Sequence, residues 1–382
     1  MSVAARVVVS AAGGLVVLAT LSSVVRTLVI PRGFTSRLTQ AVEKTVHGVY
    51  HAIVGRVPTY ESKDRILATE APAILLGLLA TWLGLLVVGF GLLLRGAADL
   101  PIGGAMREAA SSLFTLGFAT TDTGAATVID VVAAAVGLVI VALQIAYLPT
   151  LYAAFNRREV LVTTLESRAG VPAWGPELLS RHALVNSIDN LPTLYTQWEA
   201  WAADVAESHT NYPILVSFRS PKALRSWVVA LLAVLDSAAL YLALCPSTAP
   251  SSTRLSLRMG FTCMRDIATA LDLEYDPDPL PDAPLQLTYD EYLAGIARMR
   301  MQNFPMERTP AEAWPHFRGW RVNYESIAYA LADRTAAVPG QWTGDRSRMD
   351  GTPIAVMPPP NRTPENPDGA GRAPEPGEFG RR

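Results

Sequence analysis

Long uninterrupted apolar runs dominate the first part of the chain, and mixed, helix-periodic segments the rest. Val7 to Val25, Ala71 to Leu94 and Val131 to Phe155 contain no Asp, Glu, Lys or Arg. A membrane-crossing helix needs about 20 apolar residues, because the hydrocarbon core is about 30 Å thick. The three runs are read as spans. The first follows a single Arg6 and precedes no small-residue cleavage site, which favours a retained span over a signal peptide. A fourth run, Ser226 to Cys245, carries Asp236 at its centre. A charge at mid-span costs about 2.5–3.5 kcal/mol on insertion scales, so this run is expected to be a buried helix instead.

Between the first two spans the pattern changes. Leu38, Val42, Val46, Val49, Tyr50 and Ile53 recur at helical spacing, with Arg37, Gln40, Glu43, Lys44, His47 and His51 on the other side. This predicts an amphipathic helix, lying either at the inner membrane face or on the soluble domain. His47 and His51 stand at i, i+4, a spacing that suits a metal. No third ligand is near in sequence, so a solvated face is the expected reading.

Between the second and third spans, Pro101-Ile102-Gly103-Gly104 reads as a turn. Ala105 to Phe114 reads as a helix too short to cross a membrane, and Thr115 to Thr120 as extended backbone.

Charge sets the orientation. Arg26, Arg32, Arg37, Lys44, Arg56, Lys63 and Arg65 fill the first connection, and Arg157 and Arg158 follow the third span. Basic flanks remain cytoplasmic. The N-terminus and the segment from Arg95 to Asp130 are therefore expected outside, and the C-terminal domain in the cytoplasm of a multi-pass plasma-membrane protein. Over 382 residues, 32 basic residues balance 34 acidic ones, which gives no reason to expect a nucleic-acid partner. Cys245 and Cys263 lie in the soluble part, so no disulfide framework is expected.

The stretch Ser111-Ser112-Leu113-Phe114-Thr115-Leu116-Gly117-Phe118-Ala119-Thr120 has a specific likeness. Thr115, Leu116, Gly117 and Phe118 match the first four positions of T-[VIL]-G-[YF]-G, and the stretch resembles the pore helix and filter of the potassium-channel superfamily. The likeness covers about Ala71 to Arg168. It implies a bacterial two-transmembrane-type pore with an extra N-terminal span, assembled as a homotetramer. It also implies that carbonyls of Thr115, Leu116, Gly117, Phe118 and Ala119, with the Thr115 hydroxyl, coordinate a permeating K+ or other monovalent cation. The short helix would aim its negative end at the ion. Ala119 departs from the pattern, which has a second Gly there. A positive φ costs an L-residue about 1–2 kcal/mol. The acid that commonly follows that Gly is displaced to Asp122. These departures leave the ion open. In the last span, Gly137, Gln144 and Pro149 are candidates for a hinge or gate.

After Arg158 the pattern is soluble and mainly helical. The stretches 197–207, 222–244, 253–273, 289–301 and 324–333 have helical length, with Pro213, Pro221, Pro246, Pro277, Pro279 and Pro281 between them. No phosphate-cradling glycine motif occurs. Trp198, Trp201, Trp227, Trp314 and Trp320 read as packing anchors. His182, His209 and His316 form no motif, and Glu207-Ser208-His209 are adjacent residues rather than a triad. No catalytic constellation and no cofactor are expected. From Thr335 on, Pro, Gly, Arg and Glu predict a disordered tail.

The expectation is thus an all-α membrane protein with three transmembrane helices, a re-entrant pore helix and filter loop, and a helical cytoplasmic domain. Its parts are an N-terminal span (1–30), an amphipathic connection (31–70), a pore domain (71–158), a helical domain (159–334) and a tail (335–382). Its partners are membrane lipid, monovalent cations and three further copies. The rival is a non-conducting, membrane-anchored sensor or scaffold with a degenerate pore loop.

Overall fold

The computed structural model describes residues 1–30 and 36–344, so Arg32 and the tail beyond Gly344 lie outside the described residues. Within them the fold is all-helical, with no strand. The chain divides into two compact units, Met1–Arg56 with Thr69–Ala153, and Val57–Ala68 with the part from Ala154 onward. Among the described residues, four helices are long and apolar enough to cross a membrane, as befits a membrane protein.

In the first unit, α1 (Val3–Leu28) packs along α4 (Glu70–Ala98). Glycines permit the approach. A Cβ on Gly13 would sit 2.6 Å from the Gly89 carbonyl, and one on Gly89 would sit 2.7 Å from Val17. Lipid offers no hydrophobic drive for helix association, so small residues that bring backbones together supply it by contact. A buried hydroxyl chain adds direction. Trp82 Nε1 donates to Ser23 Oγ (3.1 Å), which meets Ser36 Oγ (2.6 Å) at the N-cap of α2 (Arg37–Val54). At the far end the Arg6 guanidinium donates to the carbonyls of Gly96 and Ala97 (2.8 and 2.6 Å), a cation where α4 leaves carbonyls unpaired.

The amphipathic helix is present as α2. Its Val42 and Val46 pack near Gly77 of α4, while Val49 and Ile53 stay exposed. The apolar stripe of α2 thus meets α4 through Val42 and Val46.

The second unit contains α3 (Tyr60–Leu67), the end of α6 (Gly124–Ala169), α7 (Gly175–Leu184), α8 (Leu191–Asn211), α9 (Trp227–Leu244), α10 (Ser251–Ala270), α11 (Tyr289–Arg300), α12 (Pro310–Arg321) and α13 (Glu325–Arg334). Its centre is α9, the fourth apolar run, packed by α7, α10, α12 and α13. Asp236 explains the arrangement. It forms a buried ion pair with Arg321 and accepts from Tyr324 Oη (2.9 Å). Arg321, fully buried, also donates to Glu325 (3.0 Å), Tyr329 Oη (2.8 Å) and the Trp342 carbonyl (3.0 Å). A buried charge is tolerated when its lone pairs and protons are matched in this way.

One boundary differs from the sequence reading. Ala337, Val338 and Trp342 are buried in the same core, so the helical unit reaches beyond 334. Small apolar and aromatic residues in a Pro/Gly-rich setting hid that contribution.

Candidate functional site

The site is built on α5 (Ile102–Leu113), a twelve-residue helix packed on α4. Pro101 is its N-cap, so the residues read as a turn form its first helical turn. Ala105, Ala109 and Leu113 are buried. So are Ser111, with no exposure, and Glu108, at 3%. Ser111 opens the stretch with the filter likeness, but the likeness gives it no role, and Glu108 does not stand out in the sequence.

After Leu113 the backbone turns back on the helix. The amides of Phe118 and Ala119 donate to Ser111 Oγ (2.9 and 3.1 Å), and that of Leu116 donates to the Ser111 carbonyl (2.8 Å). The Gly117 amide approaches the same carbonyl at 3.5 Å. Four successive amides thus converge on one serine. Among the described residues, nothing donates to the carbonyls from Thr115 to Thr120. Leu116 and Phe118 are 62% and 55% exposed. Backbone carbonyls without donors can replace a cation's lost hydration where several of them face it together.

The segment is not extended, as expected from sequence, but turned. Thr115 and Gly117 hold left-handed backbone at φ 54° and 70°. Ala119 does not, so the steric cost anticipated there falls on Thr115 instead. Two side-chain ties hold the segment that returns. Thr121 Oγ1 donates to Glu108 Oε2 (2.6 Å), and Ser112 Oγ donates to Asp130 Oδ1 (2.6 Å). The other Glu108 oxygen is buried with no hydrogen-bond partner among the described residues. Arg107 lies over the Phe118 ring at 5.3 Å.

The helix α6 is one element through Pro149. Ala133, Gly137, Ile140, Gln144, Tyr147, Leu151 and Ala154 are buried, in steps of four and three, while Leu138, Val139, Ile145 and Pro149 are exposed. A Cβ at Gly137 would overlap the Leu113 carbonyl, so this glycine serves the close approach of α5. Gln144 shares its buried stripe, and its Oε1 has no partner among the described residues. Pro149 lies off that stripe.

The second unit holds its own polar groups. Arg158 is fully buried, donating to the carbonyls of Leu215 and Phe218 (2.9 and 2.6 Å) and to His209 Nε2 (3.0 Å). Burial, then the Arg158 charge, holds His209 well below its ordinary pKa. Burial pushes the Cys245 thiol up to about 11 and raises Cys263, which suits inert thiols. A polar cleft of about 380 Å³ lies between Arg168, Arg181, His182 and Gln197. His182 faces it with Nδ1 donating to the Leu178 carbonyl (2.8 Å), and burial lowers its pKa.

Comparison of the chain with protein-family models, with characterised proteins and with solved structures finds no match in any of the three.

Proposed function

We propose that this chain is one subunit of a homotetrameric, passive cation channel. The observation that carries the reading is the loop after α5, whose amides are drawn onto Ser111 while the carbonyls from Thr115 to Thr120 receive no donor among the described residues. Its setting supports it: a short helix between two apolar, membrane-length helices, with the carbonyl-rich loop at its C-terminal end. In this reading α5 is re-entrant and its C-terminal dipole favours the cation. Non-helical backbone at membrane depth is stable only where protein or a water-filled cavity surrounds it, which four copies around an axis provide. The helical second unit is cytoplasmic and controls opening. The Thr115–Phe118 likeness supports potassium permeation, and Ala119 at the second-glycine position leaves the choice among monovalent cations open.

The rival is a non-conducting anchored sensor or scaffold, favoured by Ala119 at the second-glycine position. Purified protein in liposomes separates the two. The channel reading predicts K+ flux and a changed K+/Na+ ratio in Ala119→Gly. No monovalent-cation flux across voltage, pH and membrane tension would overturn the channel reading.

A further inference from the structure

The sequence pairs His47 with His51 on one face of α2 but offers no nearby third ligand. The fold supplies one. Glu70, the first residue of α4, is 5% exposed and lies beside both imidazoles. His47 Nδ1 and Glu70 Oε1 are 2.7 Å apart, and the two rings stand 4.0 Å apart, centroid to centroid. Ligand atoms of all three residues lie within 4.8 Å of one another. Tyr50, one turn along α2, bonds Thr69 Oγ1 at 2.9 Å and so braces the same junction.

We propose that His47, His51 and Glu70 form a binding site for a divalent transition-metal ion, of which zinc is the natural probe. Two imidazoles and one carboxylate are a recognised zinc donor set, with a fourth position left to water. In a tetrahedral site with bonds of about 2.0–2.1 Å, neighbouring ligand atoms lie about 3.3 Å apart, so the His47–Glu70 pair opens by a fraction of an ångström to admit the ion. His47 keeps 31% of its side chain exposed, which gives the ion a way in. Nitrogen ligands select zinc over magnesium or calcium. The bound ion would staple the amphipathic helix to the first turn of α4. The proposal is independent of the pore reading.

The test uses full-length protein in detergent, free of polyhistidine tag and stripped with chelator. Equilibrium dialysis with Zn2+ should give one ion per chain at micromolar or lower free zinc, unaffected by excess Mg2+. His51→Gln and Glu70→Gln should each weaken binding by at least about tenfold, the scale on which a lost partner is felt at metal sites. His316→Gln should leave it unchanged. Co2+ should give the intense visible bands of tetrahedral coordination in the wild type and lose them in His51→Gln, with helical circular dichroism retained. Zinc affinity equal in wild type and His51→Gln, or no saturable site in the wild type, would overturn the proposal.

Discussion

The helices α6 and α9 have similar apolar runs and opposite surroundings. In α9, 94% of the apolar window is buried by the rest of the chain; in α6 only 22% is. One charge and its partner distinguish the two. Asp236 commits α9 to a place where Arg321, Tyr324 and the α13 end can meet it. The apolar part of α6 carries no charge, and it meets its own chain along a single stripe from Ala133 to Ala154, leaving Leu138, Val139 and Ile145 uncovered. Apolarity gives a helix a need for cover. The pattern of charges decides whether protein or lipid provides it.

The sharpest way to break this comparison is all-or-none. In a background without Cys245 and Cys263, Lys222→Cys and Ser247→Cys flank α9 at exposed positions. A membrane-impermeant maleimide should label both from the same side of sealed vesicles. Labelling from opposite sides would make α9 a fourth span.

Arg321→Met should have the largest energetic effect. It leaves Asp236 buried and unpaired, at about 3–5 kcal/mol. The melting of the second unit, followed by circular dichroism, should fall by roughly 10 °C for a unit of this size. Adding Asp236→Leu should recover much of the loss, since an apolar pair can replace a buried ionic one.

Gly137→Val probes α6 in the same way. Its side chain meets the Leu113 carbonyl, and overpacking of this kind costs about 1–3 kcal/mol. The expected outcome is displacement of α5 and loss of flux, with the melting of the second unit unchanged. An unaltered flux would show that the α5–α6 approach does not hold the loop.

The smallest effect is a pH slope confined to the second unit. His209 in the folded chain titrates well below the ordinary 6.5, because burial and then Arg158 disfavour its imidazolium. The unfolded chain therefore takes up the proton first as pH falls. The stabilisation is complete above about pH 6.5 and is lost below it, at about 1.4 kcal/mol per pH unit. His209→Gln should make the acid limb of the stability profile shallower by that amount.

Much of the helical framework was legible in the chain. Uninterrupted runs marked α1, α4 and α6, and the i, i+3, i+4 pattern marked α2. What stayed hidden was long-range. Arg321 lies 85 residues from Asp236, so the reason for burying α9 could be anticipated only from its cost. Glu70 lies 23 residues from His47, and only the packing of α2 on α4 brings them together. At the loop, Thr115 to Ala119 drew attention as the matched filter positions, whereas the roles of Ser111 and Glu108 in holding the loop's shape depend on how the chain turns back onto α5. Gly137 reads as a flexible point in a sequence, but here it is a point of contact.

The central claim is the proposed one, four copies of the chain around a shared pore. The native mass of the protein, released from lipid or mild detergent in a mass spectrometer, tests it directly. The account predicts a species of four 41.0 kDa chains. A protein that remains a single chain under those conditions would contradict it.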